Sequence, residues 1–372
     1  MKNGLSASRV NARNTAAGLR WLTVTTLGLL GVAPLAALAA GYQVYVTNER
    51  SGDVTVIDGG NFQVVATIPV GKRPRGIHPS ADGKTVYVAL SGTPIEGPPP
   101  LDAHGNPILK KQQADDDDDE GAKADKSADG VGVVNVAQRK LTAKIKVGSD
   151  PEEFALSADG TRLYISNEDV KTASVVNIAT AKVEHIVLVG QEPEGVATAP
   201  DGKSFYVTCE AGGDIFVIDA QHYSTQAHFK VAARPRSVAF QPGTSIAFIP
   251  SESAGELNVI DTGKASVVKA ISLPTGSRPM RVKVTADGSK IYVSTGRAGT
   301  ILVLDGHSYQ VLGTIKVGAR PWGIELSPDG RYLFSANGPS NDVSVVDLAS
   351  GQEVNRVKAG SSPWGVAVVA TP

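Results

Sequence analysis

From Tyr42 onward the chain alternates short apolar runs with polar turns, and the alternation repeats. Each unit opens with an X-Pro step and an apolar stretch, as in Arg320-Pro321-Trp322-Gly323-Ile324, and then turns at Asp-Gly. The turn recurs at Asp82-Gly83, Asp159-Gly160, Asp201-Gly202, Asp287-Gly288 and Asp329-Gly330, and Asp-Gly between alternating apolar positions is a strong hairpin signal. A second run follows (Tyr87-Val88-Ala89, Leu163-Tyr164-Ile165, Tyr206-Val207-Thr208, Ile291-Tyr292-Val293). Then come a third run ending in Asp58, Asp219, Asp305 or Asp347 and a fourth such as 313–317. Gly148 to Gly190, Gly276 to Gly318 and Gly318 to Gly360 are each 42 residues apart, and Gly190 to Gly276 is two units of 43. Four antiparallel strands at this period predict an all-β, seven-bladed β-propeller. The chain starts at Tyr42 on a second-type strand and ends on a lone first-type strand, Pro363-Trp364-Gly365-Val366-Ala367-Val368. The C-terminal strand is therefore expected to complete blade one and remove the open sheet edges. A β-solenoid is the weaker reading, because its coils are usually shorter and need no split unit.

The first forty residues stand outside this pattern. Lys2, Arg9, Arg13 and Arg20 precede an apolar run from Trp21 to Leu38, and Ala37-Leu38-Ala39 offers small residues for cleavage. That is the layout of a Sec-type signal peptide, so the expected domains are a leader (1–40) and a propeller (41–372), with the mature protein periplasmic and without a membrane span. Cys209 is the single cysteine, which excludes a disulfide framework and a Cys-x-x-Cys-His haem attachment. The 40 Gly and 22 Pro suit short strands and tight turns.

One unit is too long. Gly71 to Gly148 spans 77 residues, and the excess lies at 91–130, after the second strand of blade two. Pro98-Pro99-Pro100 and the acidic run Asp115 to Glu120 cannot bury a core, so this segment is expected to be a solvated, flexible, acidic insertion. It holds ten acids and four lysines, whereas from residue 41 the chain has 37 acids against 32 basic residues. The acidity therefore belongs to the insertion, which emerges on the channel-mouth face and is expected to reach the arginine loops there.

Tyr45-Val46-Thr47-Asn48 resembles the tetrapeptide of YVTN-repeat propellers, and Tyr206-Val207-Thr208, Tyr164-Ile165-Ser166-Asn167 and Phe334-Ser335-Ala336-Asn337 are similar degenerate copies. Length, leader and insertion resemble the subgroup associated with pyrroloquinoline-quinone (PQQ)-dependent alcohol catabolism. This resemblance implies a periplasmic, non-enzymatic binding or accessory propeller, with PQQ, a tricarboxylate, as one possible cofactor. It leaves the ligand unnamed, since similar blades serve as enzymes, cofactor holders and binding platforms.

The X-Pro loops and the loops after the second strands surround one channel mouth. They carry Arg73, Arg75, Arg234, Arg236, Arg278, Arg281, Arg320, Trp322 and Trp364 in the first set, with the acidic Asp150, Glu152, Glu153, Glu192 and Glu194 in blades three and four, and Glu49, Glu168, Glu210 and Glu252 at matched positions of the second. Four arginine-bearing loops in a concavity predict a positive mouth suited to a small anion, with Trp322 and Trp364 available to stack on a planar ring or to plug the wall. The plain alternative is a polar rim whose charges pair across blades. Neither a metal set nor a catalytic residue is expected. His78, His222 and His307 sit toward the opposite face, His185 and His228 on outer strands, and His104 alone in the insertion. Cys209 reads as a buried, inert thiol. A propeller enzyme of lactonase or quinoprotein-dehydrogenase type would have to use the four matched glutamates as acid/base groups or ligands for a hard cation. A cell-surface interaction protein is the remaining alternative. The expected partner is a periplasmic protein or a small anion, with no nucleic acid, and the expected state a monomer.

Overall fold

The structure is a computed structural model that describes residues 41–95 and 123–371. The expected leader, and residues 96–122 of the insertion with the acidic run, lie outside the described residues. The period of two along each run and the Asp-Gly turns give 28 strands in seven four-stranded antiparallel sheets. In blade one the order is Pro363–Ala370, Tyr42–Asn48, Asp53–Asp58, Val64–Pro69, from channel to rim. The closing register pairs Tyr42 with Ala370, Val44 with Val368 and Val46 with Val366, so the split blade joins the two chain ends.

Burial explains the changing pattern along each repeat. Second strands such as Arg162–Asn167 and Ile246–Ser251 are buried on both faces, hence their nearly continuous apolar runs. Fourth strands such as Lys182–Leu188 bury one residue and leave the rest to solvent. Seven apolar clusters fill the seven blade interfaces, one each. Tyr45, Val54 and Val86 pack between blades one and two, and Val44, Phe334 and Val345 between blades seven and one.

The tetrapeptide at Tyr45 to Asn48 is a fastening device. Thr47 Oγ accepts the Gly365 N–H at 2.8 Å within blade one and donates to the Arg75 carbonyl of blade two at 2.7 Å. Ser166 repeats the bridge to the Glu194 carbonyl at 2.6 Å and Ser294 to the Trp322 carbonyl at 2.8 Å. Asn48 Nδ2 donates to Asp53 at 2.7 Å and Thr55 at 2.9 Å, clamping the turn into the third strand, as Asn337 does with Asp342 and Ser344. The motif is a specification of the fold.

At the mouth face all seven residues before the inner-strand prolines are left-handed: Arg73, Asp150, Glu192, Arg234, Arg278, Arg320 and Ser362, with φ between 41° and 59°. This conformation is costly for a residue with a Cβ, by about 1 kcal/mol or more each. It turns the chain from rim to channel. In blades one, three, four and five the carbonyl of this residue accepts the N–H of Glu49, Glu168, Glu210 or Glu252. Gly296 and Gly338 donate in the same way in blades six and seven, so these six blades present the pre-proline side chain beside the residue that follows the second strand, whereas in blade two the Ser91 N–H donates to the Lys72 carbonyl.

Candidate functional site

The repeat stacks side chains around the axis in layers. The upper layer holds the pre-proline residues and their neighbours after the second strand. Blade three sets Asp150 beside Glu168 and blade four Glu192 beside Glu210, whereas blade six sets Arg278 beside Gly296 and blade seven Arg320 beside Gly338. Opposite sides of the mouth thus carry opposite charge.

The next layer is the ring of residues that follow each proline: Arg75, Glu152, Glu194, Arg236, Met280, Trp322 and Trp364. Arg75 is 2% exposed and pairs with Asp150 Oδ1 at 2.6 Å and with Glu152. Arg236 binds Glu194, Glu210 and Glu252 at once. Trp322 and Trp364 stack on each other at 5.6 Å. Trp322 also lies beneath Arg236 at 5.4 Å and Arg320 at 5.0 Å, and Trp364 beneath Arg281 at 5.7 Å.

One step deeper the column reads Gly76, Glu153, Gly195, Ser237, Arg281, Gly323 and Gly365. Its two charged members, from blades three and six, pair with each other across the channel. The glycines make room for them: a Cβ on Gly76 would lie 2.4 Å from Glu153 Oε1. His78 Nε2 meets the other side of Glu153 at 2.9 Å, and Lys283 meets Glu325 at 2.6 Å below. The channel is consequently closed under the Trp–Arg floor, with voids of only about 10 and 20 Å³, room for about one water each. Above that floor a funnel of about 730 Å³ opens, in the range of small-molecule sites.

Eleven of the thirteen sequence-predicted residues line this funnel: Arg73, Arg75, Arg234, Arg236, Arg320, Trp322, Trp364, Glu49, Glu168, Glu210 and Glu252. Arg281 lies beneath it in the plug, and Arg278 stands just outside the lining, donating to Ser253 Oγ at 3.3 Å and lying 3.9 Å from Glu252. Asp150, Glu152 and Glu194, which the sequence places in the mouth loops but not among the binding residues, line the funnel too, as do Arg50 and Asp169, which the sequence reading missed. The signal for these two was their place next to Glu49 and Glu168.

The charges do not give the positive mouth expected from the arginine loops. Eight carboxylates and six guanidinium groups line the funnel. Most arginines face a carboxylate: Arg73 meets Glu49 at 3.1 Å and Arg234 meets Glu210 and, at 3.8 Å, Glu252. Burial would raise Asp150 and Glu252, but the neighbouring guanidinium groups outweigh it and hold both below the usual carboxylate range. Glu168 is the exception. Burial raises it, Arg75 at 3.9 Å opposes only partly, and Asp150 adds to the rise. Arg320 is the converse exception together with the exposed Arg50 of blade one: neither has a carboxylate within 4 Å among the described residues. Burial and then Arg236 and Arg234 lower the pKa of Arg320 against the pull of Glu252 and Glu49, yet a guanidinium stays protonated.

Residues 191–369 match the family described as "Lactonase, 7-bladed beta-propeller". The chain is one of the β-propeller proteins. A stretch of 67 residues is 39% identical to the uncharacterized protein YncE of Salmonella typhi, 17% of this chain and 19% of that relative's length. Among solved structures the propeller resembles hydrazine synthase of Kuenenia stuttgartiensis, with a TM-score of 0.67 and 18% identity, covering 82% of this chain and 92% of the other. It also resembles a provisionally named 6-phosphogluconolactonase from Bacteroides fragilis, with a TM-score of 0.69 and 17% identity over 90% and 99% of the two chains. At such identities the likeness is one of fold.

The propeller's residues do not suit PQQ at this mouth. Three ligand carboxylates would face eight from the protein and, among the described residues, only two guanidinium groups without a carboxylate partner, those of Arg50 and Arg320. Trp322 and Trp364 act as the floor, stacked on one another and under arginines, and Trp364 is buried. The four glutamates considered as cation ligands face arginines, and among the described residues no group of three or more His, Cys, Asp or Glu has metal-holding geometry. Cys209 is fully buried and burial pushes its thiol up to about 12. No helix among the described residues is long and apolar enough to cross a membrane.

Proposed function

We propose that the chain is a periplasmic, non-enzymatic binding propeller that holds a small polar molecule in the funnel, as an accessory to quinoprotein-dependent alcohol oxidation. The observation that carries the binding reading is the pairing of funnel carboxylates with guanidinium groups. Asp150, Glu152, Glu194, Glu210 and Glu252 each contact an arginine, and a carboxylate engaged by a guanidinium, and held down by it as Asp150 and Glu252 are, is a poor general base. Rigid, paired walls hold a ligand without a large ordering penalty. The leader-like sequence supports the compartment, and the resemblance of the tetrapeptide and the insertion supports the alcohol-oxidation setting.

The family match over 191–369 favours a second reading, lactone hydrolysis, in which Glu168 would be the acid/base group. One experiment separates the two. Purified protein is incubated with a panel of aldonolactones and sugar lactones in a pH-stat, while a thermal-shift screen covers small polar metabolites. Stabilisation by a subset of metabolites without lactone consumption is the expected result. Turnover of any lactone that is lost in Glu168→Gln contradicts the binding reading.

A further inference from the structure

Arg320 and Glu168 share the funnel, and each breaks the rule its neighbours follow. In blades one, three, four and five the position after the second strand is a glutamate, but in blade seven it is Gly338, so Arg320 has no carboxylate from its own blade. Its guanidinium rests on Trp322 at 5.0 Å, which fixes its plane and leaves its N–H edge for an incoming acceptor; such a fork matches a carboxylate. Glu168 lies in the acidic sector of blade three, is one-third exposed, and among the described residues has Arg75, at 3.9 Å, as its only cationic group within 4 Å. In a seven-membered ring blades three and seven lie on opposite sides. A ligand anion is repelled by the excess of carboxylates except at Arg320 and the exposed Arg50, of which only Arg320 is seated on the tryptophan floor, and a ligand cation is repelled by the arginines except near Glu168.

We propose that the funnel binds a small zwitterion, its carboxylate on Arg320 and its ammonium group toward Glu168. This rests on the binding reading above and names the ligand class. The burial that raises Glu168 increases what a cation at that carboxylate contributes, since the unpaired charge is the costly state. The same arrangement disfavours dicarboxylates and diamines, which place one end in a sector of its own sign; that is specificity by repulsion.

The test uses ligands matched in length and differing only in end groups. Full-length protein is titrated calorimetrically at low ionic strength with 4-aminobutanoate, butanedioate and 1,4-diaminobutane, and with the six-carbon set 6-aminohexanoate, hexanedioate and 1,6-diaminohexane. In at least one set the zwitterion is expected to bind tenfold or more tighter than both partners. Arg320→Gln and Glu168→Gln should each weaken it at least tenfold while leaving the melting temperature near wild type, because neither residue makes a close ion pair. Equal or tighter binding of the dicarboxylate or the diamine overturns the proposal, as does zwitterion binding indifferent to Arg320, or no binding in either set. A dicarboxylate that binds through Arg320 would sink the ligand class and leave the funnel as a binding site.

Discussion

At the scale of single residues, the informative unit is the column of equivalent positions in the seven repeats. Glu153 and Arg281 are the two charged members of a column otherwise made of glycine and Ser237. Their opposite signs and their places in blades three and six are sequence facts. That they would pair across the axis was nonetheless not legible, because it depends on the channel being narrow enough for two side chains to span. The same limit applies to Arg75 and Arg236, which look like free cations in the sequence but lie buried among carboxylates from other blades. The plug has a pH signature. Burial would raise Glu153, but Arg281 and His78 outweigh it and hold the carboxyl at about 2, below its ordinary 4.5. A carboxylate depressed in the folded state contributes stability that is full above its unfolded pKa and is lost as pH falls through the folded one. The wild-type melting temperature should therefore drop between about pH 4.5 and pH 2 more steeply than that of Glu153→Gln. Parallel melting curves for the two proteins across that window would show that the plug carries no such linkage.

At the scale of strands and blades, the sequence reading succeeded where local chemistry decides. Asp-Gly turns, the Asp that ends five of the seven third strands (Asn135 and Asn177 end the other two) and the split terminal unit are all found in the sheets, and the last strand closes blade one. Fasteners between blades were not legible, since their partners are backbone groups distant in sequence, as with Thr47 and the Arg75 carbonyl. Thr47→Val keeps the shape and removes the hydroxyl, leaving the Gly365 N–H without that acceptor and the Arg75 carbonyl without that donor at a fully buried position. A buried polar group left unpaired costs about 1–3 kcal/mol, so chemical denaturation should show a loss of that order for Thr47→Val and a much smaller one for Thr47→Ser. Equal losses in both variants would assign the effect to packing alone.

At the scale of the whole molecule, the ring brings an acidic sector in blades three and four against an arginine sector in blades six and seven. The sequence displayed both sectors but not their mutual neutralisation, which is why a positive, anion-seeking mouth was expected and a charge-compensated funnel is found. The propeller carries its own reporter. Trp322 and Trp364 are both on the funnel floor, and the third tryptophan of the chain, Trp21, belongs to the leader-like segment. Fluorescence of protein lacking residues 1–40 consequently reports on the funnel alone. Titration with whichever zwitterion binds in calorimetry should give a saturable change in tryptophan emission with the calorimetric Kd, and Arg320→Gln should abolish it. Calorimetric binding with no change in tryptophan emission would place the ligand elsewhere and contradict the assignment of the funnel as the functional site.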